Sequence, residues 1–269
     1  MKHFIEASDT SNVFTKRCAM QIAWESDVGR VRHENEDNFA FDLTSGLLIL
    51  ADGMGGCQSG EMASAMAVST VVRELRSMAH ASSITELQGG NAFELIESRL
   101  RNAVACANQE IFETSMLEPH CAGMGTTLLV VQFFDDRVIV ANVGDSRLYL
   151  LRHGAFQKIT VDHTLLQAQF ELGFFPRDEA QRVAARSMLT RSLGSEPHVK
   201  VDIFEQSVVQ GDMFLLCSDG LYDMLEDEEI SAVLLDKEKD LDFSVKELCH
   251  RANKKGGFDN ITLILAKVS

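Results

Sequence analysis

Four aspartates stand beside short apolar runs of the kind that form buried strands. Asp52 follows the run LLILA, Asp219 follows MFLLCS, and a glycine comes after each of them. Asp145 comes after VIVANVG, and Asp259 precedes NITLILA. A single aspartate in such a position is more often a turn residue than a ligand. Four in the same setting favour a shared function, although only folding could bring them together.

The ligand type indicates which metal such a site would bind. All four side chains are carboxylates, and no His or Cys pair with ligand spacing lies nearby. Oxygen-only sites select hard cations, so Mg²⁺ or Mn²⁺ is expected. Carboxylates that converge repel each other unless cations neutralise them. Two ions about 3.5–4 Å apart would acidify a bridging water into a hydroxide that attacks a phosphoester. Since the chain has no GxSxG elbow and no GxxxxGK[ST] phosphate cradle, no protein nucleophile is indicated.

The elements that must position these residues mix strands and helices without a regular βαβ rhythm. This mixture predicts the α+β class, with antiparallel sheets covered by helices. Residues 162–194 interrupt a meander of short strands and are interpreted as an inserted lobe. The predicted strands lie at residues 19–24, around Phe39 and Phe41, at 47–51, in four segments of 126–160, and at 199–205, 213–217 and 261–268. The predicted helices outside the lobe lie at residues 60–79, 92–114, 228–235 and 244–253.

The two long helices show apolar residues every three or four positions, which predicts one buried face for each. The faces consist of Met62, Ala65, Met66, Val72, Leu75 and Ala79 in the first helix, and of Phe93, Ile96, Leu100, Ala103, Ala107 and Ile111 in the second.

Composition limits the possible functions. At 269 residues and 45% hydrophobic content, the chain can bury the core of one globular domain. Its net charge of −15 argues against a nucleic-acid surface and would repel an anionic substrate, which must therefore be attracted locally. The six cysteines are scattered, which is typical of reduced thiols. The polar leader at residues 1–18 lacks a signal-peptide core, and no apolar run approaches a membrane span, so we expect a cytoplasmic protein that does not contact membranes.

Eight short motifs carry a resemblance to a known family. They occur in order as RHENED (32–37), ADGMGG (51–56), GTT (125–127), VGDSR (143–147), DH (162–163), LTRSLG (189–194), SDG (218–220) and GFDNIT (257–262). Together they resemble the metal-dependent Ser/Thr protein phosphatases of type 2C in their compact bacterial form. The resemblance spans about residues 19–267, nearly the whole chain.

The resemblance implies a fold and a domain organisation. The fold is a four-layer αββα sandwich of two antiparallel sheets flanked by helices, with the metals at one end of the sheets. Residues 19–269 would form the phosphatase domain, and residues 162–194 within it would be a flap beside the site.

The resemblance also implies roles for single residues. Arg32 would hold the substrate phosphate in a bidentate grip and, with Asp52, belong to the catalytic residues. Two Mn²⁺ or Mg²⁺ ions, and in bacterial members a third, would be held by a set that comprises Glu36, Asp37, Asp52, the Gly53 carbonyl, Asp145, Asp219 and Asp259. Asp52 would bridge the two core ions, and Asp145 with Asp219 would hold the third.

Several of these roles have alternatives. Arg32 sits among acidic residues and could simply pair with them, and Asp145 could only cap its turn. His163 is expected to be structural, and Cys57 to be inert packing rather than a redox-sensitive thiol. Met54 stands where eukaryotic relatives carry a histidine, which leaves the proton donor open. We therefore hypothesise that a water on the third metal, held by Asp145, protonates the leaving group.

The implied function is hydrolysis of phosphoserine and phosphothreonine in proteins, opposing a partner Ser/Thr kinase, by a monomer. Two alternatives remain: a pseudophosphatase that binds phosphoproteins without turnover, and a phosphatase of small phosphomonoesters. The flap differs from the HPxRNVLTRALG pattern of bacterial relatives, since this chain reads RVAARSMLTRSLG without the leading His-Pro pattern. Substrate choice is therefore the property that can least be inferred from the resemblance.

Overall fold

The computed structural model of this protein describes residues 20–56, 59–81, 92–176, 178–236 and 238–269. The strands in these ranges are β1 (Met20–Asp27), β2 (Asp37–Asp42), β3 (Leu47–Met54), β4 (Gly125–Thr126), β5 (Leu128–Phe134), β6 (Arg137–Val143), β7 (Arg147–Arg152), β8 (Ala155–Lys158), β9 (Asp202–Ser207), β10 (Met213–Cys217) and β11 (Ile261–Val268). The helices are α1 (Ser59–Ala81), α2 (Ala92–Leu117), α3 (Leu165–Glu171), α4 (Glu179–Arg186), α5 (Asp219–Tyr222), α6 (Asp227–Leu234) and α7 (Leu241–Lys254). The predicted leader at 1–18 and Cys57 lie outside the described residues.

The strands form two antiparallel sheets. One has the order β1-β11-β10-β7-β8, and the other has the order β2-β3-β5-β6-β9 with the short β4 paired to β3. Alternating side chains of single strands reach two different cores. Leu48 and Leu50 of β3 pack between the sheets, whereas Leu47, Ile49 and Ala51 pack beneath α1 and α2. Since side chains alternate across a strand, both faces of this sheet are covered.

The second sheet is covered in the same way. Ile264 and Ala266 of β11 join the core between the sheets, while Leu263 and Leu265 pack with residues of α6 and α7, such as Ile230 and Leu248. Helices therefore lie on the outer face of each sheet. The prediction of an α+β, four-layer αββα sandwich is confirmed.

The long helices test the two predicted faces. In α2 the predicted residues Ile96, Leu100, Ala103, Ala107 and Ile111 are all buried. In α1 the predicted residues Met66, Val72 and Leu75 pack half-buried on the core, and Met62 is exposed. The fully buried hydrophobic residues are instead Ala63, Ala67, Val68 and Val71, so the centre of the buried face is turned from the predicted one. Small residues at Ala63 and Ala67 let α1 pack closely on both α2 and β3, a contact that methionine periodicity does not reveal.

Several elements differ from the sequence prediction. Strand β3 continues past the predicted end at Ala51 to Met54, because Gly53 and Met54 pair with β4. Strand β1 continues to Asp27 because β11 pairs with it along its whole length. Strand β9 begins only at Asp202, where pairing with β6 begins, although Val199 and Val201 still pack on the core. Helices α4 and α5 were not predicted; α4 lies within the lobe at residues 162–194, and α5 spans only four residues. No helix in the described ranges has the length and apolar character needed to cross a membrane.

Candidate active site

The sheet register brings the acidic residues to one end of the sandwich. Asp52 near the end of β3 lies directly opposite Asp37 at the start of β2. In the other sheet, Asp219 follows the last residues of β10, and Asp259 precedes β11, whose beginning pairs with the end of β10. Asp145 follows β6 at the same end. Because neighbouring strands are antiparallel, the end of one meets the beginning of the next, so residues far apart in sequence become neighbours.

The carboxylates repel each other at this end of the sheets. Burial first, and then the charges of Asp37 and Asp219, raise the pKa of Asp52 well above its ordinary value. Asp219 is affected in the same way by burial and then by Asp145 and Asp259. Burial is also the main reason why the pKa values of Asp37 and Asp145 rise to about 6. Each negative charge here is therefore costly unless a cation compensates it.

Two carboxylate oxygens at this site are buried without a hydrogen-bond partner, namely Oδ1 of Asp37 and Oδ1 of Asp219. Buried polar atoms are normally satisfied, so these oxygens suit a hard cation, which prefers such ligands. Within the described residues, however, no group of three or more His, Cys, Asp or Glu side chains is arranged to hold a metal ion as it stands. Small shifts of these carboxylates would bring them close enough to share a cation, which would satisfy both buried oxygens and remove the repulsion between the charges.

Gly53 and Gly60 allow a close approach between the end of β3, the start of α1 and Glu36. A Cβ at Gly60 would lie 2.5 Å from Oε1 of Glu36 and would push this carboxylate aside, whereas a Cβ at Gly53 would collide with the backbone carbonyls of Gly60 and Glu36, so only glycine fits at Gly53. The amide of Gly53 donates to the Glu36 carbonyl at 3.1 Å. Burial raises the pKa of Glu36, while the charge of Arg32 opposes that rise. Asp52 and Gly53 near the end of β3 are thus held beside Glu36.

Asn260 fixes the loop that leads to Glu36 and Asp37. Its Oδ1 accepts the Glu36 amide at 2.8 Å, and its Nδ2 donates to the carbonyls of Val28 and Glu34 at 3.0 and 2.9 Å. Asn260 directly follows Asp259, but nothing in the sequence pattern indicates this role. Thr127 was also missed: its Oγ1 accepts the Asp52 amide at 2.9 Å, and its own amide donates to the Asp52 carbonyl at 2.8 Å. No spacing rule indicates either contact, because both are made across distant segments.

Arg32 lies at the mouth of the site. Its Nη2 is 2.6 Å from Oδ2 of Asp259, and the two side chains are 49% and 35% exposed. The hydrogen bond to Asp259 is the main reason why the pKa of Arg32 is raised. The alternative in which Arg32 pairs with an acidic neighbour is thus present in this structure. An exposed pair of this kind contributes little to stability, so the guanidinium remains accessible to an anion.

The surroundings of Asp145 form a buried network. The Tyr222 hydroxyl donates to the Asp145 carbonyl at 2.9 Å, and the Arg147 guanidinium stacks 3.5 Å from the Tyr222 ring centroid. Arg147 is also paired with Asp162 at 2.7 Å. This stack places α5, which begins with Asp219, against the turn that carries Asp145.

His163 holds the same turn from the other side. Its Nδ1 accepts the Gly144 amide at 3.1 Å, which leaves Nε2 to donate to Oδ2 of Asp202 at 3.0 Å. Burial lowers the pKa of His163 and so favours this neutral form. The contacts are those of the structural residue that the sequence analysis expected.

The acidic residues open into a cleft of about 680 Å³. Its lining includes one group made of Arg32, Glu36, Asp52, Asp145 and Asp259 and another group between residues 187 and 200, called here the second wall. Asp37 and Asp219 do not line the cleft. The cleft is open enough to admit a side chain of another protein, which would meet the carboxylates of the first group.

Comparisons with known proteins agree with this geometry. Residues 30–265 match the family model described as protein phosphatase 2C. The chain is 36% identical over 251 residues to the serine/threonine phosphatase stp of Listeria monocytogenes, covering 92% of this chain and 96% of that protein. The crystal structure of the Mycobacterium tuberculosis serine/threonine phosphatase PstP/Ppp is similar with a TM-score of 0.79 and 34% identity, covering 93% of this chain and 99% of that one. A structure of the PstP catalytic domain in complex with two manganese ions is similar with a TM-score of 0.76 and 34% identity, covering 93% and 98% of the two chains.

Proposed function

Because this chain belongs to the protein phosphatase 2C family, we propose that it removes phosphate from serine and threonine residues of proteins with the help of Mn²⁺ or Mg²⁺. Its similarity to serine/threonine phosphatases extends over nearly the whole chain. The observation that carries the proposal is the set of five buried or half-buried aspartates at one end of the sheets, two with unpartnered oxygens. A pair of dications would neutralise them.

The chain offers ligands for two core ions and a third. Asp52 and the Gly53 carbonyl would hold the core ions together with Asp219 and Asp259. Glu36 would serve the second ion, and Asp37, directly beneath Asp52, would orient it or bind through water. Asp145 with Asp219 would hold the third ion. Small inward shifts of these carboxylates would close the site, and bound cations would favour those shifts by removing the repulsion.

The bound ions and the residues around them would have different roles in hydrolysis. When bound, the cations supply Lewis acidity that makes a water nucleophilic near neutral pH and that offsets charge on the phosphoryl group. Arg32 would leave Asp259 and take two phosphate oxygens with its planar fork, which orients the phosphorus toward the water. Met54 lines the cleft but has no proton to give, so protonation of the leaving oxygen depends on a water near Asp145.

The remaining assignments concern organisation and partners. Residues 162–194, which contain α3 and α4, would form a flap that borders the cleft within a single phosphatase domain at 19–269. The substrates would be phosphorylated proteins, among them a partner Ser/Thr kinase. The protein would act as a cytoplasmic monomer, in line with its scattered cysteines and its charge of −15.

The deciding experiment measures Mn²⁺-dependent phosphate release from a phosphothreonine peptide. The wild type should be active with Mn²⁺ and inactive in chelator. Asp52→Asn should lose at least one Mn²⁺ by calorimetry and nearly all activity, because it removes a charge shared by both core ions while it keeps the side-chain shape. Circular dichroism should be unchanged. Asp242→Asn, in an exposed aspartate of α7, is the matched control and should behave like the wild type.

Three results would overturn the proposal. Peptide binding without turnover would indicate a pseudophosphatase, and a kcat/KM far higher for small phosphomonoesters than for phosphopeptides would indicate a metabolite phosphatase. Full Mn²⁺ occupancy with near wild-type activity in Asp52→Asn would show that Asp52 does not bridge the ions.

A further inference from the structure

The cleft is larger than the group that would be hydrolysed in it. Its volume of about 680 Å³ is in the range of sites that enclose whole drug-sized ligands, roughly 300–1,000 Å³. The carboxylates around Asp52 and the second wall between residues 187 and 200 both line it. The second wall therefore faces parts of the substrate other than the reacting phosphoryl group.

This second wall is held in place by Asn108 of α2. Asn108 is buried, its Nδ2 donates to the carbonyls of Glu196 and Pro197 at 3.0 and 3.2 Å, and its Oδ1 accepts the Gly194 amide at 2.9 Å. The wall is also joined to β3 through β4, because Leu193 exchanges two backbone hydrogen bonds with Thr126 at 2.8 and 3.1 Å, and Thr126 pairs with Gly53. Side chains carried by this wall thus have a defined position relative to Asp52, as a specificity site requires.

This end of the second wall is held against the core and also reaches the cleft. Val201 is buried in the core beneath α1 and α2, Val199 packs on that core half-buried, and His198, Val199 and Lys200 line the cleft. Lys200 is exposed, and its charge is therefore presented to the cleft on a fixed backbone.

Lys200 differs from the other full cations of the cleft. Arg32 is paired with Asp259 at 2.6 Å, and Arg191 is paired with Asp202 at 2.8 Å. No ion pair found in the described part of the chain includes Lys200, not even with Glu196 on the same wall. In a protein of charge −15, an acidic substrate segment is repelled almost everywhere. Lys200 is a place in the cleft where such a segment is attracted.

We propose that Lys200 binds a carboxylate side chain of the substrate that lies close in sequence to the phosphorylated residue, and so sets a preference for acidic phosphorylation sites. The proposal rests on the proposed function, since it assigns the substrate class of the same cleft. A lysine suits this task because a single ammonium group attracts a carboxylate without demanding one fixed geometry.

The test compares phosphothreonine peptides that differ only by Glu or Gln at one flanking position, scanned on both sides of the phosphothreonine. For the wild type, kcat/KM should be about two- to fivefold higher for the Glu peptide at one position or two adjacent ones, which corresponds to an exposed ion pair. The effect should lie in KM and should shrink as salt is added. In Lys200→Gln the ratio should fall to one, and in Lys200→Glu the Gln peptide should become the better substrate. The ratio of two peptides cancels any general loss of activity.

Lys246→Gln is the matched control, because Lys246 is an exposed lysine of α7 that does not line the cleft. It should keep the wild-type ratio. Equal rates for Glu and Gln peptides at every position, an unchanged preference in Lys200→Gln, or an equal loss of preference in Lys246→Gln would each overturn the assignment of Lys200. Failure of the proposed function would look different, since no phosphopeptide would then be hydrolysed while an aryl phosphate still could be.

Discussion

Replacing Asp37 by asparagine should stabilise the protein when no metal is bound. The Asp37 carboxylate is buried opposite Asp52, and burial raises its pKa from 3.8 to about 6. Between about pH 4 and pH 6 the folded protein binds this proton and the unfolded chain does not, so stability falls as pH rises through that window. The full penalty, about 3 kcal/mol from the difference between those two pKa values, is present at neutral pH.

Asparagine removes the charge and keeps the shape. The Ser218 hydroxyl, which donates to Oδ2 of Asp37 at 2.8 Å, can donate equally to an amide oxygen. The amide group still has to be buried, so we expect a net gain of about 1–3 kcal/mol in the free energy of unfolding at pH 7.5 in chelator. At about pH 4 the gain should vanish, because the wild-type carboxyl is then protonated in the folded state.

Urea denaturation in chelator at the two pH values measures this gain. Saturating Mn²⁺ should reverse the order of stability, since cations bound to the cluster favour the intact set of charges. Asp42→Asn, at the other end of β2, is the matched control. Asp42 is half-buried and accepts the Thr44 amide at 2.8 Å, so asparagine there should give no gain in chelator. A loss of stability in Asp37→Asn at pH 7.5, or an equal gain at both pH values, would refute this account of the carboxylate cluster.

Two further substitutions test the residues beside that cluster. Arg32→Lys should lower kcat/KM for phosphopeptides by about ten- to a hundredfold, because it loses one charge-assisted hydrogen bond to the phosphate. The Mn²⁺ affinity measured by calorimetry should stay within about twofold of the wild type. Normal kcat and KM would mean that Arg32 only pairs with Asp259. Asp145→Ala should slow phosphopeptide hydrolysis far more than aryl phosphate hydrolysis, by a factor of the order of 10²–10⁴, because a phenolate leaves without the help of an acid. Equal losses on both substrates in a steady-state assay would argue against a proton-donor role near Asp145.

The sequence was sufficient to predict those elements whose bounds and buried face follow from their own hydrophobic pattern. The bounds of β10 and β11 agree with the apolar runs that predicted them, and the buried face of α2 agrees with its 3.6-residue period. The position of Asp219 just beyond β10 also followed from its apolar run, whereas Asp52, expected just beyond its strand, lies within β3, which continues to Met54. In these segments the hydrophobic pattern is both the signal and the physical cause of the structure.

Other features depended on contacts between distant segments. The face of α1 was decided by close packing on α2 and β3, and the start of β9 by its pairing with β6. Helix α4 is capped by the Asp178 side chain, which accepts the Gln181 amide at 2.9 Å, a signal too local to be recognised within an irregular segment.

In the site, too, some features were predictable from the sequence and others depended on tertiary contacts. Residue types alone indicated a carboxylate site for a hard cation. Only the antiparallel register placed Asp37 opposite Asp52 and brought the start of β11 beside the end of β10. Only tertiary packing paired Arg32 with Asp259 and let Asn260 and Asn108 fix the loops around the cleft. Hydrogen bonds between segments far apart in sequence produce no periodic pattern in the sequence of either segment. Each polar residue is satisfied by a partner in the other segment, and the sequence around it does not show which partner that is.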